Sequence, residues 1–116
     1  MRLINLLTLL LIIPAGVQGA AVEELYQEHC AACHSMSLRG SAHGAALTGK
    51  PFVDKWRGQE AQALLTLSMS SMPPGESHKL SPDEHALLTR YIIEYNATSL
   101  SDTILFASLD NLTAVE

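Results

Sequence analysis

The chain is poor in the means by which a small domain usually holds itself together. Of its 116 residues only two are cysteine, one is tryptophan and two are phenylalanine. Two cysteines cannot build a disulfide framework or a cysteine-rich zinc site, which needs four ligands. Basic residues are scarce, and seven Lys and Arg against twelve Asp and Glu leave a net charge of -5. That balance excludes a nucleic-acid binder, whose contact surface must be basic. It says little else, because a modest negative charge is common on soluble exported proteins. The one long apolar run, residues 3–13, spans 11 positions, against roughly 20 needed to cross a bilayer. No segment alternates apolar and polar residues as a half-buried strand does, so no sheet is expected and no βαβ frame for a thioredoxin-like site. Internal repeats and low-complexity tracts are absent too.

What the chain does have is Cys30-Ala31-Ala32-Cys33-His34. Two thiols three positions apart, followed at once by an imidazole, form the attachment site of a c-type haem. Each thiol can add across a vinyl group of the porphyrin to give a thioether, and His34 is then held against the iron as an axial ligand. Other uses of Cys-x-x-Cys are a redox-active disulfide, half of a zinc site or a structural loop, and the directly following histidine favours haem over each. One haem c is expected per chain.

Export fits this chemistry, since c-type haem is attached outside the cytoplasm. Arg2, the apolar run, Pro14 and the small residues after it have the three-part form of a secretory signal peptide. Cleavage is expected after Gly19, with Ala21 as the second choice. Loss of Arg2 takes the net charge from -5 to -6. The expected organisation is a signal peptide over 1–19, a haem domain over 20–96 and a C-terminal extension over 97–116. A chain this short is marginal for a hydrophobic core, and a covalently held haem would supply the missing apolar volume.

The remaining pattern is helical. Val22, Leu25, Tyr26, Cys30 and Cys33 make one stripe that runs into the haem motif. Residues 35–49 hold three glycines and three serines without a period and read as a loop around the cofactor. Pro51 opens a short helix with Phe52, Val53 and Trp56, and Ala61, Leu64, Leu65 and Met69 form the face of another. Ser81-Pro82-Asp83-Glu84 is a cap, a first-turn proline and a capping-box glutamate in order, so a helix begins at Pro82. Its stripe is Leu88, Tyr91, Ile92 and Tyr95, with Asn96 as a left-handed residue past its end. Ile104, Leu105, Phe106, Leu109 and Leu112 form an apolar group in the extension, expected to dock on the chain's own domain or on a partner.

A haem held by His34 has a sixth position to fill. Met72 is the expected ligand, because it follows a helix by a short turn and Pro73-Pro74 stiffens the backbone behind it. His43 or an open site are the alternatives. Met69 and Met36 read as packing residues, and His29, His43, His78 and His85 as solvated surface residues.

Together these residues carry a resemblance over nearly all of the chain after the leader. Tyr26-x3-Cys-Ala-Ala-Cys-His, Leu38-Arg39-Gly40, Gly44-x2-Leu47-x-Gly49, Phe52-x3-Trp56, Met72-Pro73-Pro74 and Leu80-Ser81-x2-Glu84-x6-Tyr91-Ile92 resemble class I cytochromes c. More narrowly, they are similar to the small monohaem domains that serve periplasmic PQQ-dependent (quinoprotein) dehydrogenases. The resemblance implies an all-α fold of three to four helices around the haem, His34/Met72 ligation, a crossing of first and last helices near Tyr26 and Tyr91, and Trp56 against a haem propionate. Arg39 and Lys55 join Trp56 as residues expected to hold the propionates. One departure stands out: family members often place a proline after the glycine that is Gly44 here, and its carbonyl receives the Nδ1-H of the ligand histidine. This chain has Ala45-Ala46. A backbone carbonyl needs no particular side chain, so Ala45 can still accept, from a softer loop.

The implied function is outer-sphere transfer of one electron by a periplasmic protein that is not itself an enzyme. Its partners would be a donor dehydrogenase and an acceptor oxidase or cytochrome, with no nucleic acid and no membrane span after leader removal. The other readings are a haem-based ligand sensor, for which the softened Ala45-Ala46 loop is the hint, and a tightly bound electron-transfer subunit of a dehydrogenase complex.

Overall fold

The computed structural model describes residues 16–97. The apolar run at 3–13 and the apolar group at Ile104, Leu105, Phe106, Leu109 and Leu112 lie outside the described residues. Helix α1 covers Gly16–His29 and a single turn, α2, covers Ala31–His34. They are separate because Cys30 leaves helical geometry, at φ -124° and ψ -38°. A loop then leads to α3 (Gly49–Trp56) and α4 (Ala61–Ser71), and a 3-10 turn (Ser77–Lys79) precedes α5 (Pro82–Tyr95). Among the described residues the only sheet-like pairing is an isolated antiparallel bridge between Ser41 and Gly44. The fold is all-α, as the residue pattern and the resemblance imply. No described helix is long and apolar enough to cross a membrane.

Helix α5 starts where its sequence requires. Ser81 Oγ accepts from the Glu84 backbone N–H at 3.1 Å, the Ser81 N–H donates to Glu84 Oε1 at 3.0 Å, and Pro82 occupies the first turn. Two orphan donors are thereby satisfied and the dipole gains an anion at its positive end. The buried face differs from the expected stripe. It consists of His85, Leu88, Thr89 and Ile93, while Tyr95 is 51% exposed. The reason is that α5 packs on α4 as well as on α1, which turns Ile93 inward and leaves Tyr91 and Ile92 partly buried at the α1 contact. There the Tyr26 and Tyr91 rings lie 5.5 Å apart at 50°, the tilted geometry favoured by aromatic quadrupoles.

Asn96 is a second correction. Its φ is -96°, not left-handed. It is buried, and its side-chain amide donates to the carbonyls of Leu47 and Ile92, both at 2.8 Å, while its Oδ1 accepts from Thr48 Oγ1 at 2.9 Å. Asn96 thus ties the end of α5 to the start of α3, and Thr48 spends its hydroxyl on that tie instead of on capping α3.

The core forms two groups. Phe52, Val53, Trp56, Ala61, Leu64 and Ile93 make one, and Tyr26, Leu38, Leu80 and Leu88 the other, with Leu47 and Ile92 packed against both. Leu64 of the first group and Leu80 and Leu88 of the second face a common cavity.

Candidate haem site

That cavity has a volume of about 270 Å³ and is lined by Cys30, Cys33, His34 and Met72 together with a mainly apolar wall. The helix that ends in the motif and the segment that leaves α4 thus meet across one space, although their chemical groups are about forty positions apart in sequence.

The side bearing the motif is tightly held. Tyr26 Oη donates to the Ser35 carbonyl at 2.8 Å, Ser41 Oγ donates to the Cys33 carbonyl at 2.5 Å, and the Gly40 N–H donates to the His34 carbonyl at 2.9 Å. Burial is the main reason the Tyr26 hydroxyl is pushed above the usual tyrosine range, so it stays a donor. Gly44 approaches so closely that a Cβ there would meet Cys33 O at 2.6 Å and Cys33 C at 2.7 Å. Only a residue without a side chain allows this approach. The following residue completes the clasp: His34 Nδ1 lies 2.6 Å from the Ala45 carbonyl. A carbonyl can only accept, so Nδ1 carries a proton, and in the neutral ring Nε2 is the nitrogen left with a lone pair. Alanine in place of the family's proline leaves this bond intact, since the backbone supplies the acceptor.

Two non-glycine residues are strained beside it. Ser35 has φ 64° and ψ 158°, a region nearly confined to glycine, and Leu38 has φ 61°. Each costs on the order of 1–3 kcal/mol. The strain is held by the Tyr26 bond at Ser35 and, at Leu38, by full burial and the Leu47 N–H donated to its carbonyl at 2.7 Å.

Both cysteines are free, and burial pushes the Cys30 thiol up to about 11. A redox-active cysteine works as a thiolate and is tuned downward, the opposite of the direction in which burial moves Cys30. Among the described residues no three His, Cys, Asp or Glu side chains converge as a metal-ion site. The donor set instead fits a porphyrin. Two thiols, an imidazole with its outer nitrogen fixed and a thioether surround an apolar space of the kind that takes an organic cofactor.

The other expected site residues lie elsewhere. Trp56 does not line the cavity. Its indole is buried in the group that shares Leu64 with the wall, 6.4 Å from the Phe52 ring, with Lys55 Nζ 5.4 Å above it. Arg39 is exposed and does not line the cavity either, and its backbone N–H donates to Ser35 Oγ at 3.1 Å. Met69 is partly buried and off the wall, while Met36, expected to pack, is 59% exposed. His29 and His43 line the cavity, and His78 is exposed. His85, expected at the surface, is buried, because Ser68 and Ser77 engage both of its ring nitrogens. Nothing in the local sequence around positions 68, 77 and 85 signals that partnership.

The family model described as "Cytochrome C oxidase, cbb3-type, subunit III" matches residues 17–92, which run from the first turn of α1 through the haem motif, α3 and α4 into α5. The chain belongs to this family. It is therefore a class I c-type cytochrome, and haem-based electron transfer through covalently bound haem c is the chemistry that membership implies. No curated protein and no solved structure matches the chain.

Proposed function

We propose that this cytochrome is an exported, periplasmic carrier of one electron per chain, with one haem c attached to Cys30 and Cys33 and ligated by His34 and Met72. One observation carries the reading: a single apolar cavity has those four side chains on its wall. The haem iron, when bound, supplies a one-electron couple. The chain's own residues do the rest. Ala45 holds the protonated Nδ1 of His34, which orients the ring and raises the basicity of Nε2. Met72 offers a neutral, polarisable sulfur, and a His/Met pair favours the reduced state. The buried Leu64, Leu80 and Leu88 give the cavity an apolar wall, which lowers the solvent reorganisation that a change of charge meets there. Were His34 and Met72 both to hold the iron, no position at the metal would be left for a substrate, and the carrier would not be an enzyme by itself.

In this reading residues 1–19 are a cleaved signal peptide, a dehydrogenase, such as a quinoprotein, supplies the electron and a respiratory oxidase or cytochrome takes it. Trp56, packed behind Leu64, and the exposed Arg39 are the residues proposed to meet the propionates. A second reading, a bound electron-transfer subunit, is favoured by the family's description as an oxidase subunit.

The test is spectroscopic. Oxidised protein should show the weak sulfur-to-iron charge-transfer band in the far red. Met72→Ala should abolish it and open the reduced protein to carbon monoxide, and Met69→Leu should do neither. A wild-type protein without the band that binds carbon monoxide at neutral pH would overturn His/Met ligation in favour of a ligand sensor.

A further inference from the structure

We propose that His85 is a positioning residue for Met72, a buried imidazole that pins both ends of the segment presenting the thioether; the inference rests on the reading of Met72 as axial ligand. Met72 lies between Ser68, in the last turn of α4, and Ser77, which opens the 3-10 turn. His85 reaches both from α5: its Nδ1 lies 2.8 Å from Ser68 Oγ and its Nε2 2.9 Å from the Ser77 carbonyl. Since a carbonyl only accepts, Nε2 bears the proton, and in the neutral ring Nδ1 accepts the Ser68 hydroxyl proton. The side chain is 2% exposed, with both nitrogens engaged.

Ser68 passes this restraint to the site. It lines the cavity, and its carbonyl accepts the Met72 N–H at 2.9 Å. A line of contacts therefore runs from α5 through His85 and Ser68 to the backbone of Met72. Thr89, one turn further along α5, donates from Oγ1 to the His85 carbonyl at 2.8 Å and also lines the cavity. The position itself lies on the buried stripe with Leu88 and Ile93, where a leucine would fill the core equally well. A leucine would not fix the distance between positions 68 and 77. A ring with two nitrogens on opposite edges does, and with that distance fixed the thioether loses little freedom on binding.

The experiment uses the full-length holoprotein in its ferric form, titrated with imidazole as a competitor for the Met72 position. His85→Leu removes both bonds and should tighten imidazole binding about tenfold, and Ser68→Ala, which removes one, roughly threefold. In both variants the far-red band should weaken without vanishing. His85→Gln keeps one side-chain donor and should fall between His85→Leu and wild type. Thr48→Ala, which removes one of the two side-chain bonds by which Asn96 ties the far end of α5 to the start of α3, should lower the melting temperature and leave imidazole affinity unchanged. If His85→Leu does not mature, Ser68→Ala decides. Wild-type imidazole affinity in Ser68→Ala, or a rise in Thr48→Ala equal to that in the His85 variants, would reduce His85 to a core residue. A band that survives in Met72→Ala would instead remove the ligand assignment, and the role of His85 with it.

Discussion

The two walls of the cavity are built on different plans. On the His34 side the hydrogen bonds and the closest backbone approach come from within about twenty residues: Tyr26 to Ser35, Ser41 to Cys33, Gly40 to His34, Ala45 to His34 and Gly44 against Cys33. On the Met72 side the segment lies between a helix end and a 3-10 turn, and α5 reaches both of its ends through His85. The first wall is a knot of contacts that are short in sequence. The second exists only once α5 has docked.

The largest effect should come from cutting the first wall at its covalent bonds. Acidified organic solvent should leave the colour on the denatured wild-type chain, and replacing both Cys30 and Cys33 by serine should give a colourless chain that is poorly folded and degraded. The two groups of buried side chains would then face each other across an unfilled space. Haem that extracts freely from wild type would show that the thioethers do not form.

Gly44→Ala tests the knot without touching a haem bond. Its Cβ would fall 2.6 Å from backbone, not from a yielding side chain, so Gly44 and Cys33 must part and the Ala45 bond to His34 should lengthen. A cost of about 1–3 kcal/mol is expected, which for a domain of this size lowers the melting temperature by about 4–8 °C per kcal/mol. Because Met72 is held from elsewhere, the far-red band should persist. Calorimetry and an absorption spectrum on one sample check both halves, and a lost band at unchanged stability would show that the walls are not independent.

The smallest effect should come from the cap of α5. Ser81→Ala should cost about 1 kcal/mol at neutral pH. Glu84 adds a pH signature: the Ser81 backbone N–H, foremost, holds its carboxyl below the usual range. A carboxylate whose folded pKa is depressed stabilises the fold above its unfolded value, about 4.3, and that contribution is lost as pH falls through the folded value. The stability gap between wild type and Glu84→Gln should therefore be full at neutral pH and close below pH 4.3. A gap that stays constant with pH would mean that the carboxylate contributes shape alone.

Much of this site could be read from residues whose partners are near in sequence. The haem motif, the capping box at Ser81 and the glycine-rich loop each depend on contacts a few positions long, so spacing is sufficient evidence for them. Periodicity puts Tyr95 on the buried face of α5 and the structure exposes it, because a period marks a stripe but not how many neighbours share it, and α5 serves both α1 and α4. Asn96 has the composition of a helix stop and the function of a tertiary tie. His85 looks like an exposed first-turn residue until Ser68 and Ser77 are brought to it.

What the sequence determined alone was the chemistry: two thiols and an imidazole at that spacing select a covalent haem, and the helical periods select an all-α fold to surround it. Only the tertiary structure decided that Met72 shares a cavity wall with His34, that Trp56 and Arg39 do not line it, and that a buried histidine stands behind the thioether segment. The physical reason is range. Covalent chemistry and helix caps act over a few residues, where order along the chain is order in space, whereas a cavity wall is made by helices whose docking depends on the burial of all their faces at once.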